Sequence, residues 1–140
     1  MSALNQARMP IELRLKVVAL PLAAALVAHE GGMACIDTSA GSVKPGVAGN
    51  ANLVRVGDFQ ESVDNSAGTA TTPVMVNLDR EVVCKWFDNA TGAAAVVALF
   101  STAYIADDHT VTVTSSGNSA SGRVWAIDSV KGVAVETTNL

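Results

Sequence analysis

The chain has 140 residues, enough for one domain-sized core, with 9 Lys and Arg against 13 Asp and Glu and a net charge of −4. That balance lacks the basic footprint a DNA or RNA binder needs. Only 16% of residues are charged, against about 25% in ordinary soluble domains, and mean hydropathy is +0.34; this fits either a β fold rich in small apolar residues or a surface that is covered in use.

Residues 1–10 carry no pattern, after which Ile11, Leu13, Leu15 and Val17 alternate with Glu12, Arg14 and Lys16. The period of two predicts a half-buried strand, with a helix pairing Glu12 and Lys16 as the competing reading. The apolar run 17–28 superficially resembles the core of a secretory signal. Pro21 interrupts it, and twelve residues fall short of the ~20 needed to span a bilayer. A strand on each side of Pro21, closed by a Glu30-Gly31-Gly32 turn, is the preferred reading.

Strands are predicted over 33–37 and 53–59, separated by a long loop at 38–52 containing Lys44-Pro45-Gly46 and followed by a second at 60–72. Loops of that length are usually functional or mobile. In 73–88, Val74, Val76 and Leu78 share one parity, and Val82, Cys84 and Trp86 share another run of alternation, so a hairpin turning at Asn77 to Arg80 is expected. Residues 93–100 suit a strand or one helical turn. Further on, 103–106 and 110–114 form a hairpin through Asp107-Asp108-His109, and 122–128 carries Trp125 and Ile127 on one face. Val133 and Val135 close the sheet after a Lys131-Gly132 turn. Nine to eleven short strands with frequent turn signals predict an all-β single domain, a jelly roll or β-sandwich, with an arm over 1–14 and the β domain over 15–140. No internal repeat is evident.

Sequence patterns for chemistry are sparse. Cys35 and Cys84 are far apart and in no metal-binding arrangement; Cys84 sits mid-strand on an apolar face, so both are expected as buried thiols rather than a bridge. Asp107, Asp108 and His109 could be drawn as a metal or catalytic cluster, yet Asp and His in a tight turn usually make a solvated corner. His29 beside Glu30 reads the same way. Asn89-Ala90-Thr91 matches a glycosylation sequon but falls in a turn. No nucleotide-binding, hydrolase or metalloprotease motif is present. The expectation is a protein that is not an enzyme and has no metal or cofactor.

The order of segments carries a resemblance. Val56-Gly57-Asp58-Phe59, Trp86-Phe87-Asp88-Asn89 with Gly92, Tyr104 with Asp107-Asp108-His109-Thr110-Val111, and Gly122 to Asp128 with Gly132-Val133 follow one another as in the small capsid decoration, or cementing, proteins of tailed bacteriophages. The chain resembles that family from about Leu15 to Glu136. The resemblance implies a virion protein, assembled in the host bacterial cytoplasm, that sits on the outer surface of an expanded icosahedral head and clamps neighbouring major capsid subunits without covalent chemistry. It further implies self-association as a homodimer or homotrimer, and no nucleic-acid or membrane partner. The capsid-facing surface is expected in the arm and one long loop, with Met9, Ile11, Leu13, Arg14, Val43 and Pro45 as contacts. The alternative is a secreted or surface β-sandwich that binds a ligand through 38–52 and 60–72, which a Cys35–Cys84 bridge would favour.

Overall fold

A computed structural model describes residues 11–137, and the fold is all-β, as the alternation predicts. Among the described residues there are eleven strands and one short 3-10 turn, Gly92–Ala94. By contacts they divide into two compact units, Leu15–Glu81 in one and the residues from Val82 onward, with 11–14, in the other. Of the expected arm, residues 1–10 including Met9 lie outside the described residues, and 12–14 begin the first strand.

The first unit contains β1 (Glu12–Leu22) from Leu15 onward, β2 (Val27–Ala28), β3 (Met33–Asp37), β4 (Ser42–Pro45), β5 (Leu53–Phe59), β6 (Val63–Asp64) and the opening half of β7 (Thr72–Asn89). Hydrogen bonding runs β1–β4–β3–β5–β7, and β1 also pairs with β7, so the order returns on itself. β1 meets β4 in parallel at Leu22 and Val43; β3 is antiparallel to both β4 and β5. Leu20, Leu22, Ile36, Val43, Phe59, Val74, Val76 and Leu78 fill the interior. Burying an aliphatic or Phe side chain of this kind contributes about 1.5–3 kcal/mol.

The second unit contains the rest of β7, β8 (Thr102–Asp107), β9 (Thr110–Thr112), β10 (Ala120–Asp128) and β11 (Gly132–Glu136). Here the order is β7–β11–β10–β8–β9, and β9 pairs with β7 in parallel to close a second circuit. Its core is Val96, Ala103, Val111, Val124, Val133 and Val135, with Phe87 and Leu99 packed against it. Phe100 and Trp125 make an edge-to-face pair at 5.6 Å.

Several expectations are corrected. Residues 73–88 do not turn at Asn77 to Arg80; they form one 18-residue strand. Val74, Val76, Leu78, Val82, Cys84 and Trp86 are all buried and all even-numbered, so the side-chain parity runs unbroken through the polar stretch and needs no reversal of the chain. Pro21 does not end β1, because Leu20 and Leu22 on either side are both buried and the ladder to β4 is made at Leu22. Loop 38–52 contains β4, whose Val43 is fully buried, and loop 60–72 contains β6, paired with β2. Trp125 and Ile127 do not share a buried face: Trp125 is buried and Ile127 is 41% exposed. The β10–β11 register shifts between Val124 and Ala126, and such a shift re-aims the residues that follow it.

A candidate partner-binding groove

In the first unit, β3 and β5 are paired with Cys35 opposite Arg55 and Asp37 opposite Leu53. Alternation therefore puts Met33, Cys35, Leu53 and Arg55 on one face of the pair. The segment after β4 rises beside them with Gly46, Val47, Ala48 and Asn50, and together they line an open groove of about 530 Å³. A Cβ at Gly46 would sit 3.0 Å from Met33 Sδ, so a larger residue there would push the Met33 side chain aside. Met33 and Val47 present apolar surface to solvent, 47% and 66% exposed.

One wall of the groove is rigidly held. Arg55 Nε donates to Asp79 Oδ2 at 2.9 Å and Nη2 to Asp79 Oδ1 at 3.1 Å, a two-point pairing, and Nη2 also donates to Asp58 Oδ1 at 3.1 Å. The Asp79 hydrogen bonds raise the already high Arg55 pKa and hold the Asp79 carboxyl below its ordinary range. Planar two-point pairing of this kind fixes orientation as well as charge. The floor, Cys35, is a buried free thiol whose pKa is raised by loss of solvent and partly restored by the nearby Arg55 charge. A thiol held protonated is a poor nucleophile. The groove thus sets exposed apolar side chains beside a fixed guanidinium.

The predicted contacts are distributed unevenly. Ile11 is 61% exposed while its carbonyl accepts the Trp86 backbone N–H at 3.0 Å. Leu13 is half-buried, and Arg14, 60% exposed, pairs with Glu12 at 3.1 Å. Pro45 is half-buried beside the groove loop. Val43 is removed from the contact surface altogether, at 0% exposure. Sequence reading missed Met33, Val47 and Arg55; the usable signal was the odd-numbered face of 33–35 and 53–55 lying beside a glycine-containing loop.

Other candidate positions lie apart from the groove. Asp107, Asp108 and His109 bring one ligand-type atom each to within 4.8 Å of the others, but the Asp107 carboxylate accepts the His109 backbone N–H at 3.0 Å and His109 Nδ1 lies 2.7 Å from Asp88 Oδ2. That backbone hydrogen bond is the main reason the Asp107 carboxyl is held below its ordinary range, so Asp107 and His109 fasten a turn and tie it to β7. Asn89 of the sequon donates to Val96 O at 3.0 Å and accepts Val96 N–H at 2.6 Å. His29 is exposed. In loop 60–72 the buried Asn65 donates to Ala23 O and Ala70 O at 3.0 Å, which pins that loop to the fold. Comparison with known protein families, curated proteins and solved structures finds no match to this chain.

Proposed function

We propose that this chain is a capsid decoration protein that binds the outer surface of an expanded icosahedral phage head and clamps neighbouring major capsid subunits non-covalently. The ordered resemblance from Leu15 to Glu136 motivates the reading. The observation that carries it is the groove beside β3 and β5, where exposed Met33 and Val47 stand next to an Arg55 fixed by two carboxylates. An apolar centre with an ordered polar rim is the anatomy of a protein-binding surface. Self-association as a homodimer or homotrimer belongs to the same proposal, since closed oligomers suit symmetric positions on a shell. The secreted-module alternative loses the bridge that would have favoured it, because Cys35 and Cys84 are both free and buried.

Cosedimentation of purified protein with expanded heads stripped of decoration, against unexpanded proheads, tests this. Saturable binding to expanded heads, weakened at least about tenfold by Val47→Glu at an interface centre, is expected. Failure of the wild-type protein to bind either particle would sink the cement reading and leave the loop-based module ahead.

A further inference from the structure

We infer that the chain is one five-stranded unit repeated in tandem, with β7 serving as the last strand of the first repeat and the first strand of the second, and that the loop 46–52 and its counterpart 113–119 are two copies of one binding element, each engaging one copy of the same partner protein. The partner part rests on the cement reading above. The repeat rests on strand order, strand direction and hydrogen bonding.

Taken in chain order, β1, β3, β4, β5 and β7 correspond to β7, β8, β9, β10 and β11. The first set is hydrogen-bonded as β1–β4–β3–β5–β7–β1 and the second as β7–β9–β8–β10–β11–β7, the same circuit. In each, the first strand runs parallel to the third, and the second is antiparallel to the third and to the fourth. A coincidence of order, direction and closure across five strands is a strong constraint, because sheet topology offers many alternatives.

The agreement extends to single hydrogen bonds. Where the parallel strands meet, Ala23 N–H donates to Val43 O at 3.0 Å in one repeat and Ala90 N–H to Val111 O at 2.9 Å in the other. Entering the second strand, Gly31 N–H donates to Phe59 O at 2.8 Å and Phe59 N–H to Gly32 O at 2.9 Å; Phe100 N–H donates to Val124 O at 2.8 Å and Val124 N–H to Ser101 O at 2.9 Å. Gly31 and Phe100 both have left-handed backbone, at φ 83° and 66°. The second strand of each repeat pairs a fully buried alanine with a glycine, Ala34 with Gly57 and Ala103 with Gly122. Each glycine lies against a carbonyl of the fifth strand, Asn77 O or Glu136 O, too close to admit a side chain. Each second strand ends in an aspartate whose Oδ1 accepts the N–H two residues on, Asp37 from Ser39 and Asp107 from His109.

The two loops match in length and in their glycine-asparagine pair, while the exposed valine stands second in one and first in the other. β4 ends at Pro45 and β5 begins at Leu53, while β9 ends at Thr112 and β10 begins at Ala120, so each connection has seven residues. Each contains a left-handed glycine, Gly49 at φ 87° and Gly117 at φ 76°, followed by an asparagine. Each carries a solvent-exposed valine, Val47 at 66% and Val113 at 42%. The first of these loops forms the groove. A shell of identical subunits offers its binding site in many copies, and two linked copies of one binding element on a single chain gain affinity through effective concentration. One chain thereby bridges two subunits.

The test uses the full chain in four forms: wild type, Val47→Glu, Val113→Glu and the double variant, each titrated onto expanded heads by cosedimentation. Both valines are exposed, so unchanged urea midpoints establish that the variants are folded. Each single variant is expected to lose about 10²-fold or more in apparent affinity as bivalent binding becomes monovalent, and the double variant to lose binding. Wild-type-like binding by either single variant, with abolition by the other, would overturn the two-element inference while leaving the cement reading intact. No wild-type binding would overturn both.

Discussion

The two repeats build one strand circuit from different connections, and their differences separate what the circuit requires from what it tolerates. Between the fourth and fifth strands the first repeat spends the twelve residues 60–71 and the second the three residues 129–131. The long connection packs back through β6 against β2 and is anchored by Asn65 on Leu22 O and Ala23 O. The short one is closed by Asp128, whose Oδ1 accepts the Val130 and Lys131 N–H groups at 2.8 and 2.9 Å. At the left-handed position, the first repeat uses Gly31 with open space around it. The second uses Phe100, where burial at 1% exposure and the Trp125 edge contact offset the backbone cost. What does not vary is the buried alanine, the glycine opposite it, the terminal aspartate and the hydrogen bonds that close the ring. These positions define the fold; the connections adapt to it.

The comparison breaks most severely at the paired glycines. Gly57→Ala and Gly122→Ala each drive a methyl group into a backbone carbonyl that cannot swing away, and a loss of about 3 kcal/mol or more is expected for each. Urea unfolding of both variants would show comparable losses. A large loss at one site with none at the other would contradict their equivalence.

The paired aspartates should respond unequally, which sharpens the contrast. Asp37 is buried and its Oδ2 lies 2.7 Å from Lys44 Nζ, while Ser39 donates its backbone and hydroxyl to Oδ1. The Lys44 and Ser39 hydrogen bonds hold its pKa well below the ordinary carboxylate range. Asp37→Asn should cost about 2 kcal/mol, in the range for hydrogen bonds to a charged group. Because the folded pKa is depressed, this contribution is fully present above the unfolded value of about 3.9 and is lost as pH falls through the folded value. Acid titration of stability should show a drop below about pH 4 that Asp37→Asn reduces. Asp107→Asn, at a more solvated turn, should alter that titration less.

Smaller still is Gly31→Ala, which meets no atoms but forces a left-handed alanine, an expected loss of about 1 kcal/mol. The least perturbing probe is thiol reactivity. Burial pushes the Cys84 pKa up to about 12 with help from the Glu136 charge, and Cys35 is also raised by burial. Neither should react with a neutral disulfide reagent at pH 8 until the protein is unfolded, when two thiols per chain appear; rapid reaction of native protein would contradict the burial of both.

Alternation made several strands legible, and the bounds of β3 and β5 follow from the turn residues on either side of them. The long β7 was hidden by Asp79, Arg80 and Glu81, three consecutive exposed residues that look like a turn when charge is read without parity. Val43 of β4 was hidden by its glycine, serine and proline neighbours. The repeat escaped notice because its spacing is not constant. Ala34 to Asp37 is matched by Ala103 to Asp107 with one residue added where the β8–β9 register shifts, and the unequal 60–71 and 129–131 connections break the period again. The groove was half legible, as a loop with function, but Arg55 owes its place to Asp79 on a different strand.

The repeated circuit is tested most directly by amide hydrogen exchange on the full chain, read residue by residue by NMR. The Ala23 and Phe59 amides bond strand to strand within the first ring, and the Ala90 and Val124 amides do so at the matching positions of the second. The account predicts that all four fall among the slowest-exchanging amides, opening only with the core around them. Protection of one pair with free exchange of the other would contradict the tandem repeat.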